Sequence, residues 1–142
     1  MKIIFVCSGN TGRSPMAQFV MRKLIADAGL AEKISVTSAA STQVDGGNLH
    51  QGIADKLRAE KIPFDNHTAH TLTLEDYTDA DIIVCLDAKA VAQAKTLCND
   101  DPDGKISMLL DRDIPWDKNG FAVTYDDILS GCKALLKKIG NL

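Results

Sequence analysis

The stretch IIFVCSGNTGRSPMAQFV, Ile3 to Val20, decides the fold class of this chain. An apolar run ends in a cysteine, a loop of small polar residues follows, and Arg13-Ser14-Pro15 then opens a second apolar segment. The run Lys2–Cys7 predicts a buried strand. Ser14 is a suitable N-cap, and proline is well accommodated at the first position of a helix. A strand, a tight loop and a helix in this order are typical of the first unit of an α/β protein.

The rest of the chain repeats this alternation. Further strands are predicted at Lys33–Ser38, Asp81–Leu86 and Lys105–Leu109, and helices at Ser14–Ala28, Leu49–Glu60, Lys89–Leu97 and Tyr125–Ile139. We therefore expect one three-layer α/β domain over residues 1–142, with a four-stranded parallel sheet, right-handed crossovers and helices on both faces. Ligands bind at the carboxyl ends of the strands in such folds, which is where Cys7 lies.

Composition excludes several classes of protein. With 45% hydrophobic and 25% charged residues, the chain is neither disordered nor fibrous. The net charge is −3 and no basic run is present, so nucleic acid is not an expected partner. No apolar run is long enough to cross a membrane or to serve as a signal peptide, so we expect no membrane association and a cytoplasmic location.

The cysteines do not form a recognisable metal motif. Cys7, Cys85, Cys98 and Cys132 include no CxxC pair, and the three histidines are not at zinc-ligand spacing from them. We predict neither a metal nor a cofactor. Cys85 and Cys132 are predicted to be buried packing residues.

The loop after the first strand has the composition of an anion site. Glycines and an asparagine let its backbone curl so that successive N–H groups point inward. The start of the next helix adds free N–H groups and a positive dipole end. Arg13 adds a planar fork that matches a phosphate. The predicted phosphate-binding residues are Ser8, Gly9, Asn10, Thr11, Gly12, Arg13 and Ser14.

Cys7 opens this loop, and five residues separate it from Arg13. A positive environment favours a thiolate over a thiol. A thiolate facing a phosphate monoester is placed for in-line attack, which gives a phosphocysteine intermediate. Ser14 is expected to donate a hydrogen bond to the sulfur. The loop lacks the Gly-Lys-Ser/Thr ending of a nucleotide triphosphatase loop, and this chemistry requires no metal.

The segment VCSGNTGRSPMAQ resembles the signature of the low-molecular-weight protein tyrosine phosphatases, which reads roughly V-C-x-G-N-x-C-R-S-P-x-A. TSAAS (Thr37–Ser41) and HTAHTLTLEDYTDADIIVCLD (His67–Asp87) also resemble segments of that family. The resemblance covers most of the chain up to about Asp87. It implies a flavodoxin-like phosphatase fold and the hydrolysis of phosphotyrosine in proteins.

Family roles carry over to matching positions. Cys7 is then the nucleophile and Arg13 the phosphate clamp. Asn10, Ser14, Ser38 and His67 form the network that supports the loop. His50 and His70 are predicted to be surface residues.

Two departures from the family pattern stand out. The family's second cysteine, which protects the oxidised nucleophile, is replaced by Gly12, so Cys7 is expected to be over-oxidised easily. The family's general acid lies in a late Asp-Pro-aromatic loop, and the matching segment, LLDRDIPWDKNGF, has no such motif.

Two alignments of this segment remain open. Either one residue has been inserted before the proline, which makes Asp113 the acid, or the Asp-Pro pair has been deleted between Pro115 and Trp116, which leaves Asp113 or Asp117 as a substitute. We predict Asp113, then Asp117, with Asp111 third. Trp116 either forms a wall for the substrate ring or anchors the loop.

Three other functions stay open. The family's arginine phosphatases carry a threonine at the position of Thr11, so phosphoarginine is an alternative substrate. Thioredoxin-coupled arsenate reductases share the loop and the fold, but need further cysteines, for which only Cys85 and Cys98 lie in a comparable region. A chain without a working acid would be a phosphate-binding module of low activity. The expected partners are phosphotyrosine proteins or small phosphomonoesters, with inorganic phosphate or another oxyanion in the loop, and the chain is expected to be a monomer or a weak homodimer.

Overall fold

A computed structural model describes residues 1–140 and contains a four-stranded sheet with the order β2-β1-β3-β4. The strands are β1 (Lys2–Cys7), β2 (Ser35–Ala40), β3 (Ile82–Cys85) and β4 (Ile106–Met108). All three strand pairs are parallel, and β1 lies in the centre between β2 and β3. The predicted four-stranded parallel sheet is confirmed, and Cys7 ends its central strand.

Helices cover both faces of the sheet. They are α1 (Arg13–Asp27), α2 (Gln51–Ala59), α3 (Leu74–Asp79), α4 (Ala88–Leu97) and α5 (Ala122–Ile139). Side chains of α1, α2 and α5 pack in one apolar cluster with Phe5 and Cys7, whereas side chains of α3 and α4 pack in a second cluster with Ile4 and Val6. Because successive side chains of a strand point to opposite faces, β1 contributes to both clusters. The predicted three-layer arrangement is confirmed.

Two local predictions were incomplete or wrong. The short helix α3 was not predicted, although Thr73 and Asp76 form a capping box at its start and Tyr77 buries its ring. Ser14 was predicted as the N-cap of α1, but Gly12 holds that position without a side-chain cap. The Ser14 hydroxyl is instead fully buried beside the sulfur of Cys7.

The other elements lie within two or three residues of their predicted bounds. Strand β2 spans Ser35–Ala40 rather than the predicted Lys33–Ser38. Ser38 lies within it, beside Phe5 of β1. No helix among residues 1–140 combines the length and apolar character needed to cross a membrane.

Candidate active site

Asn10 organises the loop between β1 and α1. It is fully buried and has a left-handed backbone with φ of 55°. Its side-chain Nδ2 donates to the hydroxyl oxygens of Ser14 and Ser38, each at 2.9 Å. Its backbone N–H donates to the sulfur of Cys7 at 3.3 Å. Asparagine adopts left-handed conformations more readily than most residues, and here the conformation aims both amides inward.

Two further contacts hold Asn10 from the 66–70 segment. Nε2 of His67 lies 2.6 Å from the carbonyl oxygen of Asn10, and the backbone N–H of His70 donates to Oδ1 of Asn10 at 3.2 Å. Burial lowers the pKa of His67, and the hydrogen bond to Asn10 opposes that shift. The neutral ring therefore donates from Nε2. The structure brings together Asn10, Ser14, Ser38 and His67, as predicted, although their functional roles stay predictions.

The Cys7 sulfur lies at the floor of the loop. The Ser14 hydroxyl oxygen is 2.9 Å from the sulfur and already accepts a hydrogen bond from Asn10. The proton of the Ser14 hydroxyl can therefore be donated to the sulfur of Cys7. The N-terminus of α1, a helix of 15 residues, begins beside the same loop. Two hydrogen-bond donors and the N-terminal end of α1 therefore lie beside the Cys7 sulfur.

Arg13 is held by two acceptors beside the loop. Its Nη1 donates to the carbonyl oxygen of Ile114 at 2.8 Å and lies 2.9 Å from Oδ2 of Asp87. The other oxygen of Asp87 accepts the N–H of Ala90 at 2.7 Å and caps α4. Among residues 1–140, no partner occupies Nε or Nη2 of Arg13, so these two donors can hold a phosphate.

Asp87 was not among the predicted site residues. Its position directly after a buried strand, at the same edge as Cys7, was the signal that could have identified it.

A cavity of about 190 Å³ opens above the sulfur. It is lined by Cys7, Gly9, Asn10, Thr11, Gly12, Arg13 and Trp116. Larger cavities lie beside Phe64, with volumes of about 330 and 520 Å³, but neither includes the thiol. The loop cavity is therefore not the largest, but the Cys7 thiol, the Asn10 N–H and Arg13 make it the candidate oxyanion site.

Trp116 forms one wall of this cavity. A methyl group built on Gly12 would lie 2.7 Å from Cη2 of Trp116, so the ring occupies the space above the glycine. The ring also packs against His50 at 5.0 Å and Phe121 at 4.7 Å, measured between centroids. The sequence left open whether Trp116 is a wall for the substrate ring or an anchor for the loop; the ring lines the cavity and lies over Gly12, and its role stays a prediction. His50 is exposed, as predicted, yet it contacts this cluster.

Neither predicted general acid lines the cavity. Oδ1 of Asp113 accepts the N–H of Ala88 at 2.8 Å, while its second oxygen has no partner among the described residues. Asp117 accepts N–H groups on both oxygens, from Asn119 at 3.0 Å and from Val123 at 3.2 Å. Asp113 is exposed and Asp117 half-buried. Asp111, the third choice, is also exposed. The assignment of the acid stays a prediction.

The remaining cysteines are fully buried. Cys85 and Cys98 belong to the cluster on the opposite face of the sheet from Cys7, and burial raises the pKa of Cys85 to about 12. Burial also raises the pKa of Cys132, which packs between α5 and α1. An arsenate reductase would need Cys85 or Cys98 close to Cys7, and the structure does not bring these thiols together.

Within residues 1–140, no group of three or more histidine, cysteine or acidic side chains is placed to hold a metal ion.

Cysteine-dependent phosphatases typically have a buried thiol at the base of a loop, and that loop surrounds a cavity for an oxyanion. A family model described as low molecular weight phosphotyrosine protein phosphatase matches residues 2–141. The chain belongs to this family, and it is a phosphatase.

Named relatives agree with the family match. The low molecular weight protein-tyrosine-phosphatase YfkJ of Bacillus subtilis is 33% identical over 98% of this chain and 96% of its own. Its crystal structure has a TM-score of 0.93 and covers 99% of this chain and 95% of the other. The human low molecular weight phosphotyrosine protein phosphatase is 28% identical over 96% of this chain and 94% of its own. A mutant of the YwlE arginine phosphatase with a phosphorylated active-site serine has a TM-score of 0.86 at 25% identity, and covers 99% of this chain and 96% of its own.

Proposed function

We propose that the protein hydrolyses phosphotyrosine in proteins, and small aryl phosphates, through a phosphocysteine on Cys7. The observation that carries this proposal is the convergence on one sulfur of the Asn10 N–H and the Ser14 hydroxyl, beneath a cavity that Arg13 lines. This arrangement supports attack by the sulfur on a phosphate bound in the cavity above it.

The reaction has two steps. In the first, the Cys7 thiolate attacks phosphorus, the bond from phosphorus to the ester oxygen breaks, and the phenol leaves with a proton. In the second, water attacks phosphorus and gives a proton to the acid that was deprotonated in the first step, the bond from sulfur to phosphorus breaks, and inorganic phosphate and the Cys7 thiolate are released. Arg13 and the loop N–H groups hold the equatorial oxygens throughout, and the Ser14 hydroxyl stabilises the thiolate that leaves in the second step.

Asp113 is our proposed proton donor. Its second carboxylate oxygen is free among the described residues, and its neighbour Ile114 contacts Arg13 directly. Asp117 is the weaker candidate because backbone N–H groups occupy both of its oxygens. General acid catalysis contributes about 10²- to 10⁴-fold, so its loss is readily measured.

Leaving-group chemistry tests this assignment. p-Nitrophenolate departs with little help, whereas phenolate needs a proton. We would measure hydrolysis of both phosphates in EDTA for wild type, Asp113→Asn, Asp117→Asn and Cys7→Ser. Cys7→Ser should lose activity on both esters, and retained activity would refute the nucleophile. If Asp113 is the acid, its variant loses far more activity on phenyl phosphate than on p-nitrophenyl phosphate.

Equal losses on the two esters would exclude Asp113 as the acid. If the wild type itself fails on phenyl phosphate and neither variant changes the rates, the chain has no general acid. The phosphate-binding module would then be the better proposal.

Phosphoarginine is a second candidate substrate because Thr11 lines the cavity. A small polar wall at this position leaves room for a phosphorylated guanidinium, and the arginine phosphatase YwlE is among the structural neighbours. Parallel rates on matched peptides that carry phosphotyrosine or phosphoarginine distinguish the two. A preference of tenfold or more for phosphoarginine would replace our first proposal.

The remaining features of the proposal concern the setting of the enzyme. We propose that residues 1–142 form one phosphatase domain that acts in the cytoplasm as a monomer or a weak homodimer, with inorganic phosphate as a competing oxyanion in the loop. The family match over residues 2–141 supports the single domain.

A further inference from the structure

His50 connects the phosphate loop to the aromatic wall of the cavity. Its backbone N–H donates to the carbonyl oxygen of Thr11 at 2.8 Å, so the residue is tied to the loop itself. Its ring lies edge-on to Trp116, with 5.0 Å between centroids and 86° between planes. The same ring packs on Phe121 at 5.5 Å. The His50 ring therefore contacts both aromatic residues, and the backbone N–H of the same residue is bonded to the loop.

The orientation of the His50 ring is also fixed. It is the N-cap of α2, and its Nδ1 accepts the N–H of Gly52 at 3.0 Å. The ring also packs close to the backbone of Gly52, because a methyl group there would lie 3.1 Å from Cε1 of His50 and 2.5 Å from Phe121. A ring fixed by its cap and by a close backbone is a rigid support for its neighbours.

Trp116 needs such a support. The residue is 38% exposed, and its indole lies over Gly12, which has no side chain to hold it. The edge-to-face contacts with His50 and Phe121 therefore determine where the indole stands over the cavity.

We propose that His50 positions Trp116 and thereby sets the selectivity of the enzyme for an aromatic group on the phosphate. This inference rests on the proposed function, in which Trp116 is the wall that meets the substrate ring. His50 acts through Trp116 and touches no reacting atom, so it is a positioning residue.

Two competitive inhibitors distinguish the contribution of the aromatic ring to binding from that of the phosphate group. Phenylphosphonate uses both the loop and the wall, whereas methylphosphonate uses the loop alone. The ratio of their inhibition constants against p-nitrophenyl phosphate hydrolysis measures the selectivity for an aromatic group. The inhibition constant of inorganic phosphate measures binding to the loop alone.

The informative variant is His50→Asn, since asparagine is a good N-cap and preserves the start of α2. Thr73→Asn is the matched control, because it places asparagine at the N-cap of α3, which packs on the other face of the sheet.

We expect His50→Asn to lower the phenyl-to-methyl selectivity about threefold to tenfold, the range for one lost aromatic pair. Inhibition by inorganic phosphate should change less than twofold, and the loss should fall on KM for aryl phosphates rather than on kcat. Trp116→Ala should lower the selectivity further. The double variant should match Trp116→Ala alone, because His50 has no ring left to position.

Other outcomes overturn the inference. Unchanged selectivity in His50→Asn, with a loss in Trp116→Ala, would show that His50 does not position the ring. Equal weakening of all three inhibitors would show that His50 acts on the loop through Thr11 instead. If Trp116→Ala keeps full selectivity, the wall itself is wrong, and if wild type binds none of the three anions, the proposed phosphate site is wrong.

Discussion

Replacing Gly12 with alanine should destabilise the protein by about 1–3 kcal/mol, the usual cost of an overpacked site. The new methyl group would lie 2.7 Å from Cη2 and 3.4 Å from Cε3 of Trp116. The indole cannot simply shift sideways, because His50 and Phe121 pack against it. It can instead swing into solvent, which exposes the part now buried.

The cost of that swing sets an upper limit. Trp116 is 38% exposed. A tryptophan side chain buries about 200 Å², and at about 25 cal/mol per Å² the loss of the buried remainder costs about 3 kcal/mol. Gly9→Ala is the matched control in the same loop, because its methyl group would meet only Thr11 Oγ1, at 4.0 Å. We expect it to change stability by less than about 1 kcal/mol.

Urea unfolding followed by far-UV circular dichroism provides the measurement, with midpoints compared at constant slope. The decisive comparison is Gly12→Ala in the Trp116→Ala background, where no ring opposes the methyl group and the cost should fall below about 0.5 kcal/mol. An equal cost in both backgrounds would refute the steric explanation. The peptide conformation at Gly12, rather than the indole, would then require the glycine.

Three further predictions concern Cys7, Arg13 and His67. Peroxide should inactivate the enzyme in a way that dithiothreitol reverses poorly, because no other thiol among residues 1–140 shares the loop with Cys7; ready recovery of activity would show that another group protects the sulfur. Asp87→Asn keeps a capping side chain for α4 but removes the ion pair with Arg13, so we expect inorganic phosphate to inhibit about threefold to tenfold less well; an unchanged inhibition constant would argue against a positioning role. Burial lowers the pKa of His67, so the unfolded chain binds the proton more readily, and stability should fall as the pH drops from about 6.5. His67→Gln should show a flatter pH dependence of the unfolding free energy over that window, and parallel curves would contradict the assignment.

The first βα unit was predictable because its signals are local. A β-branched run, small loop residues and a proline at the helix start all act over a few positions, so Cys7 and the loop could be located from the sequence. The cap at Ser14 was mispredicted for a physical reason. The hydroxyl has two possible partners, a free backbone N–H and a nearby sulfur, and local rules consider only the first.

Contacts between distant segments could not be predicted from the residues alone. Asp87 meets Arg13 only because two strands end at the same edge of the sheet. His50 looks like any surface histidine until α2 is seen to begin against Thr11 and Trp116. The carboxylates of the 111–117 segment were ambiguous for another reason. Several aspartates compete for helix starts within a few residues, and the sequence pattern does not rank their capping sites.

The central place of β1 has a consequence for biosynthesis. Cys7 and its loop precede the groups that contact the loop, which are spread along the later part of the chain: Ser38, His67, Asp87 and Ile114. At about 5–20 residues per second, a ribosome completes these partners several seconds after the loop. A nascent chain therefore carries Cys7 before the contacts that hold its loop can form. Phosphatase activity becomes a reporter of completed folding, and in refolding experiments we expect it to return only after the parallel sheet has closed on both sides of β1.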